Sequence, residues 1–284
     1  MASQATITEF SRAVDPAVNT VFNGNFSQVP SSYQDVCNVS TTDIYITETS
    51  QNVGASMAHV RTEQASVTYE AFLQGDGKNL TQFEVALGVQ ISKHMWKFQR
   101  LNQIKQLVAN TAQAIARRRE FDVTKKLERG HDTSYTHSVD GTTLINLTGG
   151  DGLALFSGSH STTRTSTTQD NRVNDGTTTN MDLAEDALEA AETVTAASLT
   201  DESDQTIAYN LDTLFVPRKL VWTAQRLLQS TGRVGTANND VNLVKGRYKL
   251  VTLHYHANTA ASYGKQYYIK DTTINNNDGF LMYI

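Results

Sequence analysis

Residues 149–164, GGDGLALFSGSHSTTR, set glycines around a Ser-Gly-Ser-His run, so Ser157, Ser159 and His160 are the first candidates for a nucleophile and its base. A nucleophile elbow needs G-x-S-x-G between a strand and a helix: the strained turn lifts the hydroxyl, and the helix start stabilises an oxyanion. Here Gly158 separates the two serines, no second glycine follows Ser159, and a Thr/Ser loop follows His160. The residues therefore lack the elbow pattern, and a Ser-dependent hydrolase stands only as the alternative from another class.

Other chemistry-bearing groups are as unspecific. GDGKN at 75–79 lacks the G-x-x-x-x-G-K-[ST] spacing of a phosphate loop and precedes a strand pattern rather than a helix. His254 and His256 lie two apart in a strand pattern, which points both to one side, yet no third ligand follows from spacing. His131, Asp132, His137 and Asp140 form a similar loop cluster, and Asp182, Glu185, Glu189 and Glu192 read as a solvated helix face. No catalytic group, cofactor or metal is expected from these residues.

Composition bounds the rest. The chain has 284 residues, 39% hydrophobic and 19% charged, enough for one large or two smaller domains with a buried core. The single cysteine, Cys37, excludes an internal disulfide and a thiolate metal site, which fits a reducing compartment. The start MASQATITEF has no basic and apolar signal pattern, and no apolar run reaches the roughly 18 residues of a membrane span. Neither signal-peptide secretion nor membrane association is expected.

Charge is unevenly distributed. Residues 91–130 hold ten Lys/Arg and three acids, a local +7 in a chain of formal charge −5, so the remainder carries −12. A long helix with a solvated basic face accounts for this as well as an element facing a polyanion does. No helix-turn-helix, zinc-finger or RNP pattern is present, so any nucleic acid would be packaged rather than read.

The elements follow from periodicity. Residues 1–49, polar and holding Pro16 and Pro30, read as an extended arm with a short helix near Ile7 to Val14 and a strand at Asp43 to Thr47. Residues 54–91 alternate, with Met57, Val60, Val67, Tyr69 and Phe72 going out and Leu80, Phe83, Val85, Leu87 and Val89 returning; this predicts a projecting hairpin turning at Gly75-Asp76-Gly77. From Ile91 to Arg129 the period becomes helical, capped by Ser92 and ended by Gly130, a spine of roughly 55 Å with a coiled coil as its competitor. The polar residues 157–181 predict a mobile loop, and Met181 to Leu199 another helix. Thr213 to Val216 predicts a buried strand, with Pro217 opening a helix that carries Val221, Ala224, Leu227 and Leu228 up to Gly232. GRYKLVTLHYHAN, KQYYIKD and GFLMYI are the closing strands.

Arm, flap, spine helix and strand–Pro–helix unit, in that order, resemble the major capsid proteins of tailed phages, which share the Hong Kong ninety-seven phage capsid fold. The resemblance covers most of residues 50–270. It is nearest to the Mu-like major head subunit group, through DGLALFSGSH with its Leu-Phe-x-x-x-His stretch, TLFVPRKLVWTAQRLLQS, and NLVKGRYKLVTLHYH with YYIKD. It implies an α+β fold: an N-terminal arm at 1–49, an extended flap or E-loop at 50–90, and a peripheral domain at 91–145 with the spine at 91–129. A mainly α/β axial domain at 146–245 and returning strands at 246–284 complete it.

What the resemblance implies about function is a non-enzymatic, self-assembling shell subunit forming hexamers and pentamers around double-stranded DNA. It is assembled in the host cytoplasm and located in the virion. An encapsulin-type compartment of the same fold is the alternative. Residues placed toward DNA are Lys93, Lys97, Arg100, Arg117, Arg118 and Arg119; residues of the intersubunit flap are Arg61, Glu63, Gly75 and Lys78. The family often carries an N-terminal scaffolding segment, absent after Met1, so a separate scaffolding protein is expected, with portal and decoration proteins as further partners. Family members commonly continue beyond an end like DGFLMYI. A flap-lysine cross-link at Lys78 is not expected.

Overall fold

The computed structural model describes residues 19–26, 29, 31–67, 69–71, 73–98, 100–139, 141–233, 240–256, 263–273 and 281–283. The helix expected near Ile7 to Val14, and Phe72 and Asp140, lie outside these residues. The chain divides into two units: Met1–Val36 with Phe83–Val123, and Cys37–Gln82 with Thr124–Ile284.

In the first unit, apolar residues three or four apart close into helix, as the sequence predicts, but not in one piece. Residues 19–26 form α1, Tyr33–Val36 α2, Lys93–Lys97 α3 and Leu101–Glu128 α4. Ser92 Oγ accepts the Met95 N–H at 3.2 Å, the capping bond that starts α3. The Phe98 N–H donates to the His94 carbonyl and the Arg100 N–H to the Met95 carbonyl, so the chain is wound differently at the break before α4 begins. The long helix α4 is therefore 28 residues, about 42 Å, rather than the roughly 55 Å expected from the sequence. Ile104, Val108, Ala112 and Val123 form its buried stripe.

The polar arm does not simply lie open. Glu120, 1% exposed, accepts the N–H groups of Ser32 and Tyr33 at 3.0–3.1 Å and the Ser32 hydroxyl, so its carboxylate caps the start of α2. The Arg119 guanidinium lies 5.3 Å from the Phe26 ring and 5.8 Å from the Tyr33 ring. Phe26, Ser32 and Tyr33 thus pack against α4 of their own chain.

The second unit is built around a three-stranded sheet. Strands are β1 Asn38–Ser40, β2 Ile46–Val53, β3 Leu73–Thr81, β4 Ser134–Thr136, β5 Leu144–Asn146, β6 His160–Ser161, β7 Thr168–Gln169, β8 Thr213–Pro217, β9 Lys249–Leu253, β10 Tyr268–Lys270 and β11 Leu281–Tyr283. The central sheet has order β10-β8-β9, with β8 parallel to β9 and antiparallel to β10. Every residue of β8 is buried, as a strand covered on both faces must be. The helices here are α5 Glu185–Ala190, α6 Ala196–Ser198 and α7 Val221–Gln229. Ala224, Leu227 and Leu228 of α7 pack with Leu214 and Val216 of β8 and with Leu183 and Leu188. Pro217 ends β8 instead of opening the helix; a 3-10 turn, Arg218–Leu220, intervenes.

The remaining pairs are two-stranded: β2 with β3, β4 with β5, β6 with β7, and β1 parallel to β11. Residues 157–181, expected as a mobile loop, hold the β6–β7 hairpin and a bridge between Asn174 and Thr179. Between α5 and α6 the helix widens into a π turn, Ala191–Thr195, whose buried Thr195 accepts the Asn174 N–H at 3.1 Å.

Candidate functional site

The basic residues expected to face a polyanion divide by burial. Lys93, Lys97, Arg100 and Arg117 are exposed. Arg118 instead holds Asp122 one turn on, its Nε 2.9 Å from each carboxylate oxygen, and Arg119 is committed to Phe26 and Tyr33. Charge counting could not separate these two uses, because it does not say what lies across the helix.

In the second unit, the hairpin turns at a different place from the one the sequence suggests. β2 pairs with β3 from Ile46↔Thr81 to Val53↔Leu73, so the reversal is residues 54–72, and Gly75-Asp76-Gly77 lies inside β3. One residue, Gln51, lies between Ser50 and Asn52 on β2, opposite two, Gly75 and Asp76, between Gln74 and Gly77 on β3, which is a β-bulge. The glycines accommodate the bulge, not a turn. Lys78 is correspondingly not at the tip: its Nζ donates to the Thr148 carbonyl, and burial, then the Lys126 charge, push its pKa down. A β-carbon at Gly150 would sit 3.0 Å from Asp76 Cβ, so the glycine turn packs directly on the bulge.

Arg61 and Glu63 lie in the segment that joins β2 to β3. Arg61 Nε donates to the Ala65 carbonyl at 2.8 Å across a turn in which Gln64 takes φ +70°. The base is fastened at both sides: the Ser56 N–H donates to Glu70 at 2.8 Å, and Arg164 Nη2 reaches the Gly54 carbonyl at 3.3 Å and Glu70 at 3.5 Å. Between these anchors the apolar side chains are bare, with Val60 96% and Tyr69 90% exposed. Monomeric surfaces seldom present such side chains in series. Alternation marks these residues as strand; the sequence does not reveal their exposure.

The Ser-His stretch makes no nucleophile. His160 Nδ1 lies 2.6 Å from Asp151 Oδ2, and its Nε2 faces the Leu155 carbonyl at 3.4 Å, so neither ring nitrogen meets a serine hydroxyl. Ser157 Oγ accepts the Ser159 N–H at 3.2 Å instead. Phe156 is the anchor, its ring 5.3 Å from those of both His131 and Tyr268. β9 ends at Leu253, so His254 and His256 do not share a strand face: His254 is exposed near Arg218, and His256 is buried 3.0 Å from Tyr268 Oη. His137 is buried, its Nδ1 accepting the Val139 N–H. Among the described residues no group of three or more His, Cys, Asp or Glu is arranged to hold a metal.

The acidic helix face is also occupied. Arg233 binds Glu185 at 2.8 Å and Asp186 at 3.2 Å, Lys265 binds Asp182 at 2.8 Å, and Arg247 and Tyr248 both bond Glu192. A cleft of about 930 Å³ is lined by His131, Phe156, Arg172, Tyr209 and Tyr267 among others, and among the described residues no hydrogen bond joins a base to a nucleophile in its lining. No helix among the described residues is long and apolar enough to cross a membrane.

No protein-family model and no curated protein matches the sequence. Among solved structures, the chain is similar to one in the procapsid of bacteriophage JBD30, with a TM-score of 0.58 and 12% identity over 86% of this chain and 98% of that chain. Likeness at that identity is likeness of fold: this mixed helix-and-sheet chain shares the fold of the procapsid chain.

Proposed function

We propose that the chain is a major capsid protein, the repeated subunit of an icosahedral shell that encloses double-stranded phage DNA, with the Hong Kong ninety-seven fold and nearest to the Mu-like head subunits. The supporting observation is the fold likeness to a procapsid chain, which extends over 98% of that chain. A flap whose tip leaves Val60 and Tyr69 bare supports it, because apolar surface that finds no cover in its own chain gains burial only between chains.

In this reading residues 50–90 are the E-loop reaching a neighbour, α4 is the spine of the peripheral domain, and the β8–α7–β9 region belongs to the axial domain. Lys93, Lys97, Arg100 and Arg117 are the DNA-facing set, by charge and without sequence preference. Hexamers and pentamers, a separate scaffolding protein, and portal and decoration proteins are the partners. The virion is the location, after assembly in the host cytoplasm. No observation favours an enzyme-filled compartment or a hydrolase.

The experiment is to capture particles from lysing host cells with an antibody to this chain and treat them with nuclease. Protected double-stranded DNA of genome length is the expected result; particles holding only protein cargo would favour the compartment, and capture of monomers alone would count against both.

A further inference from the structure

Residues 83–90, Phe-Glu-Val-Ala-Leu-Gly-Val-Gln, alternate strictly, which places Phe83, Val85, Leu87 and Val89 on one face of an extended chain. Yet the segment belongs to no helix or strand, and no backbone hydrogen bond of residues 83–90 is found among the described residues. Phe83, Val85 and Leu87 are 55%, 42% and 53% exposed. Here is a strand pattern without a sheet.

The same chain carries a sheet lacking a strand. β2 and β3 form a two-stranded ribbon, and two-stranded ribbons are marginal in water until a third strand or a helix covers them. Side chains of β3 are engaged at Thr148 and Gly150, whereas nothing among the described residues pairs with the outer edge of β2. That edge is a row of unpaired N–H and C=O groups with Ile46 half exposed beside it. β2 has 8 residues, the same number as the unpaired segment.

We infer that residues 83–90 of one copy add as a third strand to the outer edge of β2 in a neighbouring copy. The inference rests on the self-assembly proposed above and names one of its contacts. Pairing within one copy is barred by connectivity. The segment leaves the end of β3 at once, and a reversal takes at least about two turn residues, after which β3 itself would stand between the segment and β2. A second copy is the occupant because each copy holds both halves of the match. The halves are different patches, so every copy donates one strand and receives one, the head-to-tail arrangement that closes rings.

The test uses the full chain. Val85→Pro and Ala86→Pro each remove one strand N–H, on opposite edges, so at least one removes a ladder bond. Because residues 83–90 have no ladder among the described residues of one copy, both variants should fold with the wild-type melting temperature, and at least one should lower shell yield by about tenfold or more. Independently, amide exchange at residues 83–90 should slow by about a hundredfold between dissociated subunits and shells. Wild-type shell yield from both variants, or equal exchange in subunits and shells, would overturn the inference and leave self-assembly standing. Protection that appears in unassembled subunits as soon as a scaffolding protein is bound, before shells form, would assign the strand to that partner and overturn it too. A wild-type chain that never leaves the monomer would overturn the underlying reading as well.

Discussion

The Phe156 ring lies on Gly130: a β-carbon built at Gly130 would sit 2.5 Å from both Cδ2 and Cε2 of Phe156. The Phe156 N–H also donates to the Gly130 carbonyl at 2.8 Å, so backbone and side chain fix the segment after α4 at one point. Gly130 has no positive φ in the structure; its lack of a side chain serves close approach rather than a left-handed turn.

Gly130→Ala should therefore destabilise the chain by about 1–3 kcal/mol, through overpacking against an aromatic ring that is itself held by His131 and Tyr268. Thermal unfolding checks this. Combined with Phe156→Leu, which trims the ring, Gly130→Ala should cost less than it does alone, a coupling that two independent defects would not show.

Glu120→Ala should detach the arm. It removes the acceptor for two backbone N–H groups and a hydroxyl, and should cost about 1–3 kcal/mol. Limited proteolysis within the first 36 residues should speed up while the second unit stays intact. Unchanged cleavage would mean that the arm is held elsewhere.

Acid should weaken the second unit through His131. Burial, with Arg172 acting the same way and the Phe156 carbonyl and Asp132 opposing, holds the imidazole below its ordinary value. The unfolded chain then takes up the proton first. Stability is lost as pH falls from about 6.5 through the lowered folded value and no further below it. The fall in melting temperature between about pH 7.5 and 5 should be smaller in His131→Gln, which cannot titrate; identical falls would remove His131 from the account.

Neutralising Lys93, Lys97, Arg100 and Arg117 together should weaken binding of double-stranded DNA and flatten its salt dependence, by about 0.9 in slope for each phosphate that the chain no longer neutralises. Arg118→Ala and Arg119→Ala should leave that slope unchanged and lower stability by about 1 kcal/mol each, since Arg118 serves Asp122 and Arg119 serves Phe26 and Tyr33. Filter binding across a salt series distinguishes the two groups.

Legibility in the sequence followed the reach of each interaction. The buried β8, the apolar face of α7 and the Ser92 cap could be read because each depends on residues within one turn or one strand. The flap reversal could not. Gly75-Asp76-Gly77 has turn chemistry, yet a pairing between residues 46–53 and 73–81 made it a bulge, and long-range register leaves no local mark. His254 and His256 look like neighbours on one face only if β9 reaches them, and it stops at Leu253. Glu120 carried no signal at all: a mid-helix glutamate looks solvated until the partner it caps, 88 residues away in sequence, is in place.

The central claim, that this chain is built to be one of many in a closed shell, is tested most directly by electron microscopy of the purified full chain, with a scaffolding protein supplied if the chain alone stays small. The account predicts closed particles of uniform diameter with hexameric and pentameric capsomers. A chain that remains monomeric under both conditions, with the flap tip still bare, would contradict it.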